Sequence, residues 1–505
     1  MRSVLAAAAV VIAMTSSALA ADLAKVRAWR VTQERDIVRQ LADFTAIPSI
    51  AADPKGLQTM ADRLQAELAK RGFEARLLSA GAGDPPSVYG ALSTPGAKRT
   101  VVFYAHYDGQ PVTPSQWRSD PFRPVMRTGI GDDARDIDWQ AATGRLDPEW
   151  RLFGRGTSDD KSSIVAFLAA FDALKASGQK PSVNIKVFWE GEEEAGSPHL
   201  EAVLEANRDL LAADLWLIGD APVHQSRLPT IYFGARGVMG VDATIYGPTR
   251  ALHDGHYGNW APNPAAMAAQ LMADMRAPDG RIRIPGFDSD VRPPTPAELK
   301  AVAALPDVDA ALQRDLGIAA PETREGLASS ILRPSLNYRG LSAGRVGAAA
   351  VNAIPTEAVL SMDFRLVPNQ TPASVRAKLE AYLRATGWTV VDAPPTAAQR
   401  AASAKIIRLA WEGGYPALRS DMSSPHAQAV LAAAGRAAGR PVAVLPTIGG
   451  SVPIYLFDEV LGAPVIGLPI GNHDNNQHAA NENTRLQNLW DGIDLYAAMM
   501  SDLRW

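Results

Sequence analysis

Apolar positions in the first half of this chain switch repeatedly between two periods. Helical spacing over 36–43 and 57–71 gives way to a β-branched and aromatic run at 100–104. Helical spacing returns over 164–177, followed by an apolar run at 182–189, a helical stretch at 199–207 and another apolar run at 214–218. Strands alternating with helices predict a mostly parallel sheet covered on both faces. Ligands bind such sheets beyond the carboxyl ends of the strands.

From residue 238 the pattern changes. Strict alternation over 238–247 and 358–366, with helical stretches over 261–276 and 373–386, predicts an α+β unit inserted into the first. A helix over 427–438 and apolar segments at 442–445 and 464–468 then return the chain to the first domain. The expected fold class is α/β, with a first domain built from 21–237 and 416–505 and an inserted α+β domain over 238–415. Polar, aperiodic text over 125–150 predicts a surface loop, and the proline-rich 285–296 and the segment 394–402 predict connectors. Asp132, Asp133, Asp136 and Asp138 lack the glycine and glutamate of a calcium loop.

A length of 505 residues suits two domains, and 47% apolar with 21% charged residues suits a globular chain. A net charge of -4 is small for this length, and nothing suggests the clustered Lys and Arg of a nucleic-acid surface. Arg2, the apolar stretch 4–14 and Ala18-Leu19-Ala20 before Ala21 predict a secretory leader over 1–20, cleaved after Ala20, and hence a periplasmic or secreted protein. The leader's apolar stretch is shorter than the ~20 residues that span a bilayer, and no other stretch suits a span. There is no cysteine, so a metal site must use His, Asp and Glu.

Such residues stand in turns after the apolar runs: His106 in AHYDG, Asp159 in GRGTSDDKSS, Glu193 and Glu194 in GEEEAGS, Asp220 in LIGDAP and His478 in NHDNNQHAANEN. Singly, each has a plain structural explanation: a half-buried histidine, an aspartate capping the helix that follows, a solvated acidic run. Together they supply what a hydrolytic pair of ions needs, hard or borderline donors with a carboxylate able to bridge. Two ions ~3.5–4 Å apart polarise an acyl oxygen and bring the pKa of water from 15.7 towards ~7. A carboxylate that is not a ligand can then carry the proton to the leaving amine. Asp108 stands two positions after His106, where it can orient the imidazole.

Through these segments the mature chain resembles the di-zinc peptidase family that includes carboxypeptidase G, aminoacylase, succinyl-diaminopimelate desuccinylase and the carnosinase-type dipeptidases. HYDGQPV, QWRSDPF, GRGTSDDK, EGEEEAGS, FGARG, ALHDGHYGN, DFRLVPNQ, GGSVP and HAANEN occur in the family's order, nearest in pattern to the carnosinase-type, non-specific dipeptidase branch. The resemblance implies two divalent ions per subunit, zinc with manganese or cobalt as alternatives. His106 and Asp220 would hold one ion, Glu194 and His478 the other, and Asp159 both. It implies Glu193 as general base and Asp108 as the residue orienting His106. It also implies a cis peptide bond after Asp159, and a lid and dimerisation domain in the insertion.

In a homodimer of that kind, His253 would enter the partner's site and stabilise the oxyanion. Arg365 would grip the substrate carboxylate, Gly450 and Ser451 would contact substrate, and Asn352 would face it. Where the family's loop often carries an acid before GGSVP, this chain has Thr447 and Ile448; His256 has no recognised counterpart. His473 competes with His478 as a ligand, but its flank does not match. Three functions stay open: a peptidase acting on dipeptides or short peptides beside a free carboxylate, an N-acyl amino acid deacylase using the same site, and an inactive binding relative. Retention of all the ligand types with Glu193 argues against the last.

Overall fold

The computed structural model describes residues 22–505, and the leader expected over 1–20 lies outside them. Among the described residues no helix is long and apolar enough to cross a membrane.

An eight-stranded sheet forms the first layer, in the order Glu74–Leu78, Ser87–Leu92, Asn184–Glu190, Thr100–His106, Leu215–Ile218, Val465–Gly467, Thr230–Tyr232, Ala443–Leu445. The four strands from Asn184–Glu190 to Val465–Gly467 are mutually parallel, and the Glu74–Leu78 edge is antiparallel. Alternation sends Val101, Phe103 and Ala105 into one apolar cluster and Val102 and Tyr104 into another, so the central strands are buried on both faces. Helix Lys161–Ala176 lies almost wholly inside the first cluster, between helices Leu23–Thr45 and Leu486–Asp502. Each fully buried Phe or Leu there is worth ~1.5–3 kcal/mol relative to exposure.

A five-stranded sheet forms the second unit, in the order Ser335–Ser342, Glu357–Leu366, Gly237–Tyr246, Ile406–Tyr415, Thr389–Val391. It is antiparallel except for the last pair. Helices Pro264–Met275 and Pro372–Ala385 bury Ala268, Leu271, Val375 and Leu379 in the core beside this sheet. The protein is therefore α/β, a mostly parallel sheet layer joined to an α+β insertion.

Three sequence expectations need correction. The stretch 125–150 is not wholly irregular: Val125–Arg127 and Asp136–Ile137 join Arg151–Phe153 and Asn483–Arg485 in a four-stranded antiparallel sheet. Strands of two or three residues carry no readable period, and one partner comes from the far end of the chain. Buried Arg127 lies over the Phe153 ring and pairs with Asp136 at 2.9 Å. The expected connector 394–402 contains helix Ala397–Ala402, started by a Thr396–Gln399 capping box. The first helix runs over Leu23–Thr45, far beyond 36–43, because the paired Arg30 and Glu34 occupy its buried face and break the apolar stripe.

Candidate metal centre

Three parallel strands deliver their functional residues to one rim. His106 ends strand Thr100–His106, Glu193 and Glu194 occupy a short 3₁₀ turn after Asn184–Glu190, and Asp220 follows Leu215–Ile218. Asp159 comes from the turn before helix Lys161–Ala176, and the Asp159–Asp160 peptide bond is cis. A capping role does not account for Asp160, whose side chain caps nothing on that helix; it instead accepts the Ser163 hydroxyl. His478 arrives from a distant loop in which Asn476, His478 and Asn481 all take left-handed backbone conformations.

These residues assemble as two groups of donor atoms, His106–Asp159–Asp220 and Asp159–Glu194–His478, each within 4.8 Å and sharing Asp159. His106 Nε2 lies 3.0 Å from Asp159 Oδ1. His478 Nε2 lies 3.2 Å from both Asp159 Oδ2 and Glu194 Oε2. Bonds of ~2.0–2.2 Å at tetrahedral angles place donor atoms ~3.4 Å apart, so this spacing fits a cation with little adjustment. Glu194 Oε1 is buried with no hydrogen-bond partner, an orphan that a cation would satisfy. His473 belongs to neither group.

Electrostatics point the same way. Burial pushes the Asp220 carboxyl up to about 7, helped by the charge of Asp159. Burial likewise raises Glu193, with Asp220, Glu194 and Asp108 adding like charge. Burial would raise Asp159 too, but hydrogen bonds with His106 and His478 hold it well below the carboxylate range. His478 is pushed up to about 10 by Asp159 and Glu194. Both imidazoles, raised by their acidic neighbours, stand between the carboxylates, where divalent cations would do the same work more strongly.

Supporting residues set the orientation. The His106 ring turns Nδ1 towards Asp108, 3.2 Å from its carbonyl oxygen and 3.3 Å from its carboxylate. A proton on Nδ1 would leave the Nε2 lone pair free for a cation shared with Asp159. Asp108 also accepts the backbone N–H groups of Glu193 and Glu194 at 3.2 and 3.0 Å, tying that turn to the His106 strand. Two residues given no role from the sequence take part. Gln110 Nε2 donates to Glu194 Oε2 at 2.7 Å, and buried Glu482 accepts backbone donors from the Asp159 turn. Their only sequence signal was membership of the HYDGQPV and HAANEN segments.

Asp159, Glu193, Asp220 and His478 form one wall of a cleft of about 860 Å³ that also takes in Arg365, Gly450 and Ser451. Arg365 donates to the Ser451 hydroxyl at 2.8 Å and lies 3.3 Å from Asp363. Buried His224 lines the cleft as well. His253 and Asn352 do not line it. They sit together on the second unit, where His253 pairs with Ala353 and the Asn352 carbonyl accepts the Asp254 N–H at 3.2 Å.

Residues 102–502 match the model of peptidase family M20/M25/M40. The chain belongs to that family. It is a metallopeptidase, and the cleft with its acid and imidazole wall is the candidate active site of that chemistry. The chain is 28% identical over 494 residues to the Cys-Gly metallodipeptidase dug1 of Schizosaccharomyces pombe, covering 93% of this chain and 95% of that one. It is 26% identical over 430 residues to the Beta-Ala-His dipeptidase of Homo sapiens, covering 83% and 78% respectively. Among solved structures it is similar to the M20 family metallo-carboxypeptidase Sso-CP2 from Sulfolobus solfataricus, with a TM-score of 0.74, 28% identity, and coverage of 92% of this chain and 98% of that chain.

Proposed function

We propose that this metallopeptidase is a secreted or periplasmic homodimer that hydrolyses the amide bond of dipeptides or short peptides next to a free carboxylate. The observation that carries the reading is Asp159, shared between two donor groups on the wall of a cleft that also holds Glu193 and Arg365. His106 and Asp220 would hold one divalent ion, Glu194 and His478 the other, and Asp159 both. Zinc suits these donors, with manganese or cobalt as substitutes. Bound there, the ions would polarise the acyl oxygen and acidify the attacking water.

Glu193 belongs to neither donor group and is raised by burial towards readiness to hold a proton. It would accept the proton of the attacking water and hand it to the leaving nitrogen. Arg365, steadied by Ser451 and Asp363, would hold the substrate carboxylate, with Gly450 lining the same wall. The insertion over 238–415 would act as lid and dimerisation domain, carrying His253 to the partner's site. The dipeptidase names of the two relatives support a short substrate.

One observation favours a second reading, an N-acyl amino acid deacylase. Leu305, Ile331, Leu445 and Ile448 make part of the cleft wall apolar, which suits an acyl chain better than an ammonium group. Hydrolysis of free dipeptides and their N-acetyl counterparts by the metal-loaded enzyme separates the two. A dipeptidase prefers the free amine by at least about tenfold in kcat/KM, because an unpaired polar group in the wrong pocket is costly. A preference for the acylated form would replace the first reading with the second. Export rests on residues 1–20, and the mass of the mature protein from its host is expected to begin at Ala21; a mature chain retaining Met1 would refute it.

A further inference from the structure

Glu482 is a fully buried carboxylate four residues beyond His478. Its Oε2 accepts Arg155 Nη1 at 2.7 Å and the Gly156 N–H at 2.9 Å. Its Oε1 accepts the N–H groups of Ser158 at 2.9 Å and of Asp159 at 3.0 Å. An ionised carboxylate offers about four lone-pair sites, and all are used on one turn. The last donor is the backbone of the residue common to both donor groups.

The same two segments are stitched elsewhere. Gly154 N–H donates to the Glu482 carbonyl at 3.0 Å, and Arg155 Nη2 donates to the Ala479 carbonyl at 3.1 Å, next to His478. Asn475 Nδ2 donates to Ser158 Oγ at 2.9 Å. Arg155 stacks over Trp117 with its guanidinium carbon 5.2 Å from the ring centre. A buried carboxylate is costly unless paired and fully hydrogen-bonded, and here both conditions hold. One stretch of chain, 475–483, thus presents His478 and also grips the turn that presents Asp159.

We propose that Glu482 is a positioning residue that sets the spacing between Asp159 and His478, and through it the geometry of both ion sites. The inference rests on the two-ion reading of the cleft. It is a demand for charge as well as shape. In Glu482→Gln the amide oxygen can accept only two of the four donors, and the NH₂ group faces N–H groups that it cannot accept. The turn must then move, taking Asp159 with it. Removing an outer partner of a ligand typically weakens metal binding about 10–100-fold.

The test titrates metal-free full-length wild type, Glu482→Gln and Arg155→Lys with Co²⁺, following visible absorption and bound metal per chain. The expected result is about a 10–100-fold weaker affinity in Glu482→Gln with an altered cobalt spectrum, and kcat falling more than KM rises. A variant that melts earlier yet keeps wild-type affinity and spectrum would show a structural role only and overturn the proposal. Should Glu482→Gln fail to fold, Arg155→Lys carries the test: it keeps the positive charge but loses the fork that joins Glu482 to Ala479, and wild-type affinity and spectrum in that variant overturn the proposal equally. Wild type that binds no cobalt would overturn the two-ion reading itself, whereas wild-type binding with unaltered variants overturns this inference alone.

Discussion

Glu193→Gln is expected to lower kcat by about 10²–10⁴ while KM and the bound-metal content stay near wild type. The substitution keeps the shape of the side chain and removes its capacity to take a proton. Glu193 lies in neither donor group, so ion binding should not depend on it. Its backbone N–H donates to Asp108 at 3.2 Å, and that bond survives the change, holding the turn and with it Glu194. Fold stability should not suffer either, since the change removes one of several like charges facing Asp220 and Glu194. Steady-state kinetics beside metal analysis checks all three statements. A variant within a few-fold of wild-type kcat would end the assignment of Glu193 as the proton carrier.

Much of the fold was legible because buried strands and amphipathic helices leave long, periodic traces. The apolar run at 214–218 and the helical spacing over 164–177 have direct counterparts in Leu215–Ile218 and Lys161–Ala176. What escaped were elements whose stability comes from elsewhere in the chain. Val125–Arg127 is a strand because Arg151–Phe153 pairs with it, and that strand in turn pairs with Asn483–Arg485. No local pattern can announce a partner more than three hundred positions away. The small sheet matters to the site, since Asn483–Arg485 begins immediately after Glu482 and anchors the loop that carries His478.

The candidate site was legible for a different reason. Acids and histidines recur in glycine-marked turns after apolar strands, and the parallel sheet explains why they converge. The supporting residues were harder to see. Gln110 and Glu482 are ordinary polar residues until folding shows that one donates to Glu194 and the other accepts the Asp159 N–H. His253, expected to act across a subunit boundary, behaves differently again: one chain brings Asp159, Glu193 and Arg365 to the same cleft and leaves His253 outside it, together with Asn352, which was expected to face substrate.

That separation leads to the second large effect, expected for His253→Ala. The His253 side chain is 57% exposed, and its Nδ1 accepts the Gly255 N–H at 3.1 Å. The proton therefore sits on Nε2, which is the donor an oxyanion needs. Its neighbourhood on the insertion also exposes Trp260 and Val351, apolar surface that a second subunit would cover. Losing one oxyanion donor costs about 10²–10³ in kcat, so His253→Ala should be nearly inactive although its own metal centre is untouched. Mixing it with Glu193→Gln makes the sharing visible. In a hybrid dimer, the site with intact Glu193 receives the intact His253 of the other subunit, and the second site lacks both. Random re-pairing makes half the dimers hybrids, each with one complete site, so activity should recover to about a quarter of the wild-type rate. Mixed dimers that are confirmed by mass spectrometry and remain as slow as either parent would place His253 outside the partner's chemistry.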